Sequence, residues 1–307
     1  MLSALAVAVA GGLELAIGEP PTRLHPVAWF GRLVGVVDRE WDHPLAVGGF
    51  AAALLPVGVA VVVGGSVALA ATREPLAAVA LAGLALFLTT SLRSLLSTAR
   101  GVIADTDAAL PAARDGLLAL AGRDASALSA GEVRSAAVES ASENLADGLV
   151  ASLAAFVLGG LAATGVGLLP LPVAAGTAAW VKAVNTMDSM LGYRSKRVGT
   201  PAARLDDAVM WLPARLSALL LALACGSPRS VAQARDWLDG VPSPNSGWPM
   251  GTAAAALDVR LEKPGVYVLN PAGHLPDVAT AQRSVTRVGV AGALAYLLTG
   301  LGVLAWF

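Results

Sequence analysis

The densest set of side chains able to do chemistry lies between Lys182 and Arg215, in KAVNTMDSMLGYRSKRVGTPAARLDDAVMWLPAR. Lys182, Asn185, Asp188, Tyr193, Arg194, Lys196, Arg197, Arg204, Asp206, Asp207 and Arg215 sit there between apolar, Ala-rich runs, in a chain where only 14% of residues are charged. Polar groups beside lipid are costly unless paired or used, so the cluster reads as a site. Asn185 and Asp188, at i and i+3, share one helix face. The basic residues that follow also suit a helix C-terminus or the cytoplasmic membrane border; this accounts for Lys196 and Arg197 without chemistry, but not for Asn185 and Asp188. Arg204, Asp206 and Asp207 follow Gly199 and Pro201 and read as a loop that could bind a metal or orient a phosphate. The plain alternative is that Asp206 or Asp207 caps a helix running to Leu212.

A second set is Glu139, Glu143 and Asp147, at i, i+4 and i+8. On a helix these carboxylates share a face, where like charges repel unless a cation sits against them. Hard oxygen ligands suit Mg2+, which is usually shared with substrate phosphates. Asn144 adds a neutral polar group, and the solvated acidic face is the ordinary alternative. Near the N-terminus, Glu14, Glu19, Arg23 and His25 close an apolar segment; His25 is a candidate acid/base or ligand, whereas His43 and His274 have no obvious partner. Ser243–Pro249 is turn-rich, and its Asn245 and Trp248 could orient a ligand or cover a flat one. The chain lacks a Walker A loop, G-x-G-x-x-G, C-x-x-C, H-E-x-x-H and G-x-S-x-G.

The elements that must position these residues are membrane helices. The 307 residues are 56% apolar with a mean hydropathy of +0.67, which points to an all-α, polytopic membrane protein. Small apolar residues dominate and suit close helix contacts in lipid. A net charge of −1 gives no basic field for nucleic acid. The single cysteine, Cys225, can form neither an internal disulfide nor a thiolate metal site. A helical span needs roughly 20 apolar residues. Candidates are 2–17, 45–71, 76–92, 149–181 (read as a hairpin of 149–166 and 171–181) and 288–307, with 216–224 short enough to be re-entrant. The N-terminal segment lacks a basic n-region and reads as a retained span. With the N-terminus outside and six spans, Arg73 alone of the 21 Lys and Arg lies outside, as the positive-inside rule prefers. The expectation is one integral-membrane domain over 1–307 with its polar clusters on the cytoplasmic side. Segments 93–148, helical with breaks at Gly122 and Gly131, and 227–287 would contribute to the site.

These residues bring a family into view. GEPPTRLHPVAWFGRL (18–33), VESASENLADG (138–148), KAVNTMDSMLGYR (182–194), ARLDD (203–207), PARLS (213–217) and SPNSGW (243–248), in this order, make the chain resemble the CobD/CbiB family of adenosylcobinamide-phosphate synthases from about Leu13 to Arg287. It departs from the family pattern in carrying Glu14 and Glu19 where aspartates are usual. The segment after Tyr193 is about three residues short and lacks an aromatic, Met210 replaces an asparagine, and Pro249-Met250 stands where some relatives carry an acid. The resemblance implies cobalamin biosynthesis: ATP-dependent amide formation between adenosylcobyric acid and an amino alcohol phosphate such as aminopropanol phosphate. On that reading Glu139, Glu143, Asp147, Asp188 and Asp207 are the Mg2+ ligands, and Glu143, Asp147, Asp188, Asp206, Asp207 and His25 the catalytic candidates. Lys182, Arg194, Arg204 and Arg215 would hold anionic groups, Asn144, Asn185, Tyr193 and Asn245 would orient them, and Trp248 would line the site. Other late-pathway enzymes would be partners at the bilayer. The rival classes are a transporter, which would place ionisable residues at mid-bilayer and often show inverted repeats, and a non-catalytic scaffold of the corrinoid assembly complex.

Overall fold

The structure, a computed structural model, describes residues 1–122, 124–193 and 195–306. In chain order the elements are α1 (Leu2–Ala16), α2 (Pro26–Gly35), α3 (Pro44–Ala71), α4 (Pro75–Leu88), α5 (Leu92–Ala108), α6 (Leu110–Ala121) and α7 (Ala130–Leu145). A π-helical turn (Ala146–Val150) leads into α8 (Ala151–Gly165) and α9 (Pro170–Leu191), and a 3-10 turn (Arg197–Gly199) into α10 (Thr200–Val209), α11 (Trp211–Ala224) and α12 (Ser230–Ala234). A second 3-10 turn (Arg235–Gly240), α13 (Gly247–Leu257), β1 (Leu261–Lys263), β2 (Tyr267–Leu269) and α14 (Val278–Trp306) complete the chain.

The protein is an all-α, multi-pass membrane protein. Among the described residues four helical stretches are long and apolar enough to cross a bilayer: Pro44–Ala71, Pro75–Ala108, Ala130–Gly165 and Val278–Trp306. The expected segment 2–17 is a 15-residue helix, shorter than a full span. The expected hairpin within 149–181 is α8 and α9, but α9 runs on to Leu191 and carries Lys182, Asn185 and Asp188 on its last turns. The loop expected around Arg204–Asp207 is helical instead. Helix α10 starts at Thr200 with Pro201 in its first turn, where a missing N–H costs nothing, so the two aspartates lie within the helix and not at its N-cap, which is Gly199. The break at Gly122 is present, in a left-handed conformation closing α6. Gly131 instead lies inside α7, which begins at a Ser129/Glu132 capping box.

The chain packs as two compact units. The first comprises 1–91, 151–210 and 296–307; the second, 92–150 and 211–295, contains both segments expected to carry site residues, 93–148 and 227–287. In the first unit, glycine lets helices meet at backbone distance. A Cβ on Gly176 of α9 would stand 2.9 Å from the Ala60 carbonyl of α3, and one on Gly64 would stand 2.9 Å from that of Pro172. Val34, Ala52, Met187, Leu191 and Ala202 form a core cluster there.

In the second unit α7 is buried almost all round, from Ser135 to Ser142, because its Ala and Ser side chains admit neighbours on every face. Arg134 ties α7 to α5 and to the approach to α14, donating to Thr106 Oγ1, Asp107 Oδ1 and the Pro276 carbonyl at 2.8–3.0 Å. The β1–β2 hairpin is antiparallel and pairs Lys263 with Tyr267. Its turn is Pro264-Gly265, with Gly265 at φ 72° and Val266 N–H donating to the Lys263 carbonyl at 2.9 Å; a turn of this kind needs glycine at its third position.

Candidate functional site

A cavity of about 230 Å³ in the second unit is lined by Glu139, Ser140, Glu143, Asn144, Asp147, Lys263 and Tyr267, among others. The three carboxylates anticipated on one helix face do line one wall, though by a different geometry. Helix α7 ends at Leu145, and Asp147 lies on the π-helical turn that follows, a wider turn that re-aims side chains and recurs at functional sites. Glu139 is 3% exposed, and the hairpin fixes it from both sides. Tyr267 Oη donates to its Oε2 at 2.6 Å. Ser135 Oγ donates to its Oε1 at 2.8 Å and itself accepts the Glu262 backbone N–H at 2.8 Å. Asn144 turns its amide nitrogen back onto Ser140, reaching the carbonyl at 2.9 Å and Oγ at 3.1 Å.

Arg215, Asn245 and Trp248, drawn from distant stretches, also meet in this unit. The Arg215 guanidinium lies 4.6 Å from the Trp211 ring centroid and 5.1 Å from that of Trp248, within cation–π range. It donates to Asn245 Oδ1 and to the Trp211 carbonyl, each at 2.8 Å, and to the Pro244 carbonyl at 3.4 Å. With its donors turned inward, Arg215 holds the 243–248 turn against α11.

In the first unit a pocket of about 380 Å³ is lined by Glu19, His25, Thr90, Ser91, Lys182 and Thr186, among others. His25 caps α2: its Nδ1 accepts the Val27 N–H at 3.2 Å. That leaves Nε2 as the proton-bearing nitrogen of a neutral ring, a donor rather than a base. Burial, and then the Lys182 charge, hold His25 below its ordinary value. Desolvation raises the Glu19 carboxyl, the Lys182 charge opposes this, and the Glu14 charge adds to it. Glu14 is buried on α1 and accepts from Thr90 Oγ1 at 2.9 Å; Tyr296 Oη donates to that same Thr90 oxygen at 3.1 Å. Lys182 and Thr186 also line an apolar groove of about 570 Å³ between α2, α3, α4 and α9.

Of the remaining candidates, Asp188 is half-buried and feels the charge of Asp207 from α10, a like-charge pair that a cation would relieve. Asp206 is half-buried and Arg204 exposed on the same helix. Asn185 is buried and lines neither polar cavity. Tyr193 is exposed and lies under Lys196, whose Nζ is 5.2 Å from its ring centroid and 2.7 Å from Asp38 Oδ2. Arg194 lies outside the described residues. Among the described residues no three His, Cys, Asp or Glu side chains converge as a metal cage. Mg2+ commonly needs only one or two carboxylates when it arrives with substrate phosphates. The sequence reading did not single out Lys263, Tyr267 or Ser135. The Pro264-Gly265 turn followed by Val-Tyr-Val-Leu was the available signal for the hairpin.

Fold and pockets together define a class: a multi-pass helical membrane protein whose polar cavities are lined by carboxylates and lysine. A family model described as CobD/Cbib protein matches residues 7–297. The chain is 36% identical to a probable cobalamin biosynthesis protein CobD of Methanothrix thermoacetophila, over 94% of this chain and 93% of that one. It is 35% identical to the cobalamin biosynthesis protein CobD of Klebsiella pneumoniae, over 99% and 98%, and 34% identical to CbiB of Salmonella typhi, over 93% and 90%. No solved structure matches. The chain belongs to the CobD/CbiB family.

Proposed function

We propose that this protein acts in cobalamin biosynthesis by joining the propionate carboxylate of adenosylcobyric acid to the amine of an amino alcohol phosphate, with ATP consumed, on the cytoplasmic side of the membrane. The observation that carries the reading is the cavity where Glu139, Glu143 and Asp147 face Lys263 and Tyr267. It offers groups to hold an anion and to take a proton in a chain whose relatives bear cobalamin-biosynthesis names.

A carboxylate has no good leaving group, so one of its oxygens attacks the γ-phosphorus of ATP to give an acyl phosphate and ADP. The amine then attacks the acyl carbon, phosphate leaves with that oxygen, and the amine's proton passes to a carboxylate. Glu143 and Asp147 are the bases on offer in the second unit. Mg2+ bound with the nucleotide would offset the charge of its phosphates. Positioning and electrostatics supply most of the acceleration in such transfers.

Purified protein incubated with adenosylcobyric acid, aminopropanol phosphate and Mg-ATP should yield the amide by mass spectrometry and none without ATP; absence of amide in the complete mixture would overturn the reading. The cytoplasmic assignment is tested by single-cysteine labelling in a Cys225→Ala background. Arg73→Cys should react from the external face and Ser195→Cys only after the membrane is opened, and reaction of both from one side would refute it.

A further inference from the structure

We infer that the apolar groove between α2, α3, α4 and α9 binds one acyl chain of a membrane phospholipid, with the headgroup at the adjoining pocket of Glu19 and His25. The shape of the groove, its depth and its polar end carry this placement.

The shape comes from one face of α3. Leu54, Gly58, Val62 and Ser66 recur every four residues and all line the groove, so the trough runs along the helix. Leu81, Leu84 and Leu88 form the wall on α4, and α9 contributes the small side chains of Ala179 and Ala183. Gly58 leaves the trough open, because a Cβ there would meet nothing within 4 Å. Ser66 turns its hydroxyl back onto the Val62 carbonyl at 2.7 Å, so the far end of the trough stays apolar.

The depth is that of one leaflet. From Leu54 to Ser66 the helix rises about 18 Å, at roughly 1.5 Å per residue. The hydrocarbon of one leaflet is about 15 Å deep, half of a core of about 30 Å. Both walls belong to stretches long and apolar enough to cross the bilayer. A single lipid chain therefore matches the groove in length and in chemistry, whereas a water-soluble metabolite would face hydrocarbon along its open side.

The polar end completes the match. Val27, Leu88, Lys182 and Thr186 line both the groove and the pocket, so the two spaces adjoin. Beyond them the pocket adds Glu19, Thr22, His25 and Ser91. Because His25 Nδ1 accepts the Val27 N–H, its Nε2–H is a donor for a phosphodiester or ester oxygen. Helix α2, which closes this end, exposes Trp29 and Leu33, side chains suited to the bilayer border. An apolar trough that opens at the border into a polar pocket has the layout of a lipid, tail and head in order.

The test is native mass spectrometry of the full-length protein in detergent, titrated with dioleoylphosphatidylethanolamine. The wild type should hold one lipid saturably. Gly58→Phe, which fills the trough, should weaken binding by roughly 10-fold or more, the loss of about two buried methylenes. Gly65→Phe is the control: it lies on the same helix but outside the groove, with nothing within 4 Å of its Cβ, and it should bind as the wild type does. His25→Asn, which keeps a capping acceptor, should weaken binding severalfold. Glycerophosphoethanolamine, the headgroup without chains, should not compete. Equal binding by the wild type and Gly58→Phe, equal loss in Gly65→Phe, or displacement of the lipid by adenosylcobyric acid or by the headgroup alone overturns the placement. Unchanged binding in His25→Asn overturns the headgroup position. A lipid-free wild-type dimer that Gly58→Phe converts to a monomer also overturns the proposal, since a second copy of the chain would then fill the groove.

Discussion

Replacing Tyr267 by Phe removes one hydroxyl and nothing else of its shape, which isolates the bond between the hairpin and α7. The Tyr267 Oη donates at 2.6 Å to Glu139, and Glu139 is 3% exposed. A hydrogen bond to a charged group contributes about 1.5–3 kcal/mol, and leaving a buried acceptor short of a donor costs about as much. Ser135 still serves the other oxygen at 2.8 Å, which favours the lower part of that range, about 2 kcal/mol. At roughly 2–4 °C per kcal/mol for a domain-sized unit, the melting midpoint of the purified protein in detergent should fall by about 4–8 °C. The assay is thermal unfolding followed by size-exclusion recovery, run as a cycle with Glu139→Gln. Because the two side chains touch, the double variant should depart from additivity by about 1 kcal/mol or more. A Tyr267→Phe protein that melts with the wild type, or a cycle that closes additively, would refute the reasoning.

Other outcomes follow from the same structure. His25 is held below its ordinary imidazole value by burial and Lys182. On acidification the unfolded chain therefore takes up its proton first, and the folded state loses stability as pH falls below about 6.5. His25→Asn, which keeps a capping acceptor, should flatten that acid-side decline in unfolding measured across pH, and an unchanged slope would count against the assignment. Gly176→Val should destabilise the first unit by about 1–3 kcal/mol, because its Cβ would stand 2.9 Å from the Ala60 carbonyl; wild-type thermal recovery would contradict this contact. Asp188→Asn and Glu143→Gln should each abolish amide formation while leaving membrane insertion intact, as judged by fractionation and by turnover, and near-normal turnover in both would remove these residues from the site.

The membrane architecture was legible because the span α3 is an uninterrupted apolar run bounded by His43-Pro44 and Thr72-Arg73. The carboxylate wall was legible from the 139, 143, 147 spacing, although the π-helical turn that aims Asp147 depends on packing and leaves no periodic signature. Asp206 and Asp207 read as loop residues because Gly199 and Pro201 precede them, whereas proline in the first turn starts α10 instead. Lys263 and Tyr267 were not legible as site residues. Tyr267 meets Glu139 across 128 positions of sequence, and such a pairing is fixed by how a hairpin docks on α7. The partners of the Arg215 guanidinium, two tryptophan rings and three carbonyl or amide oxygens, depend on a local balance that residue type alone does not reveal.

The central claim is that the carboxylate oxygen of the corrinoid substrate leaves as part of phosphate when the amide forms. The decisive measurement uses adenosylcobyric acid labelled with 18O in the reacting carboxylate, together with aminopropanol phosphate and Mg-ATP, and mass analysis of every product. The account predicts one label in inorganic phosphate for each amide made, with ADP unlabelled. Amide formation that leaves phosphate unlabelled, or label recovered in AMP, would contradict it.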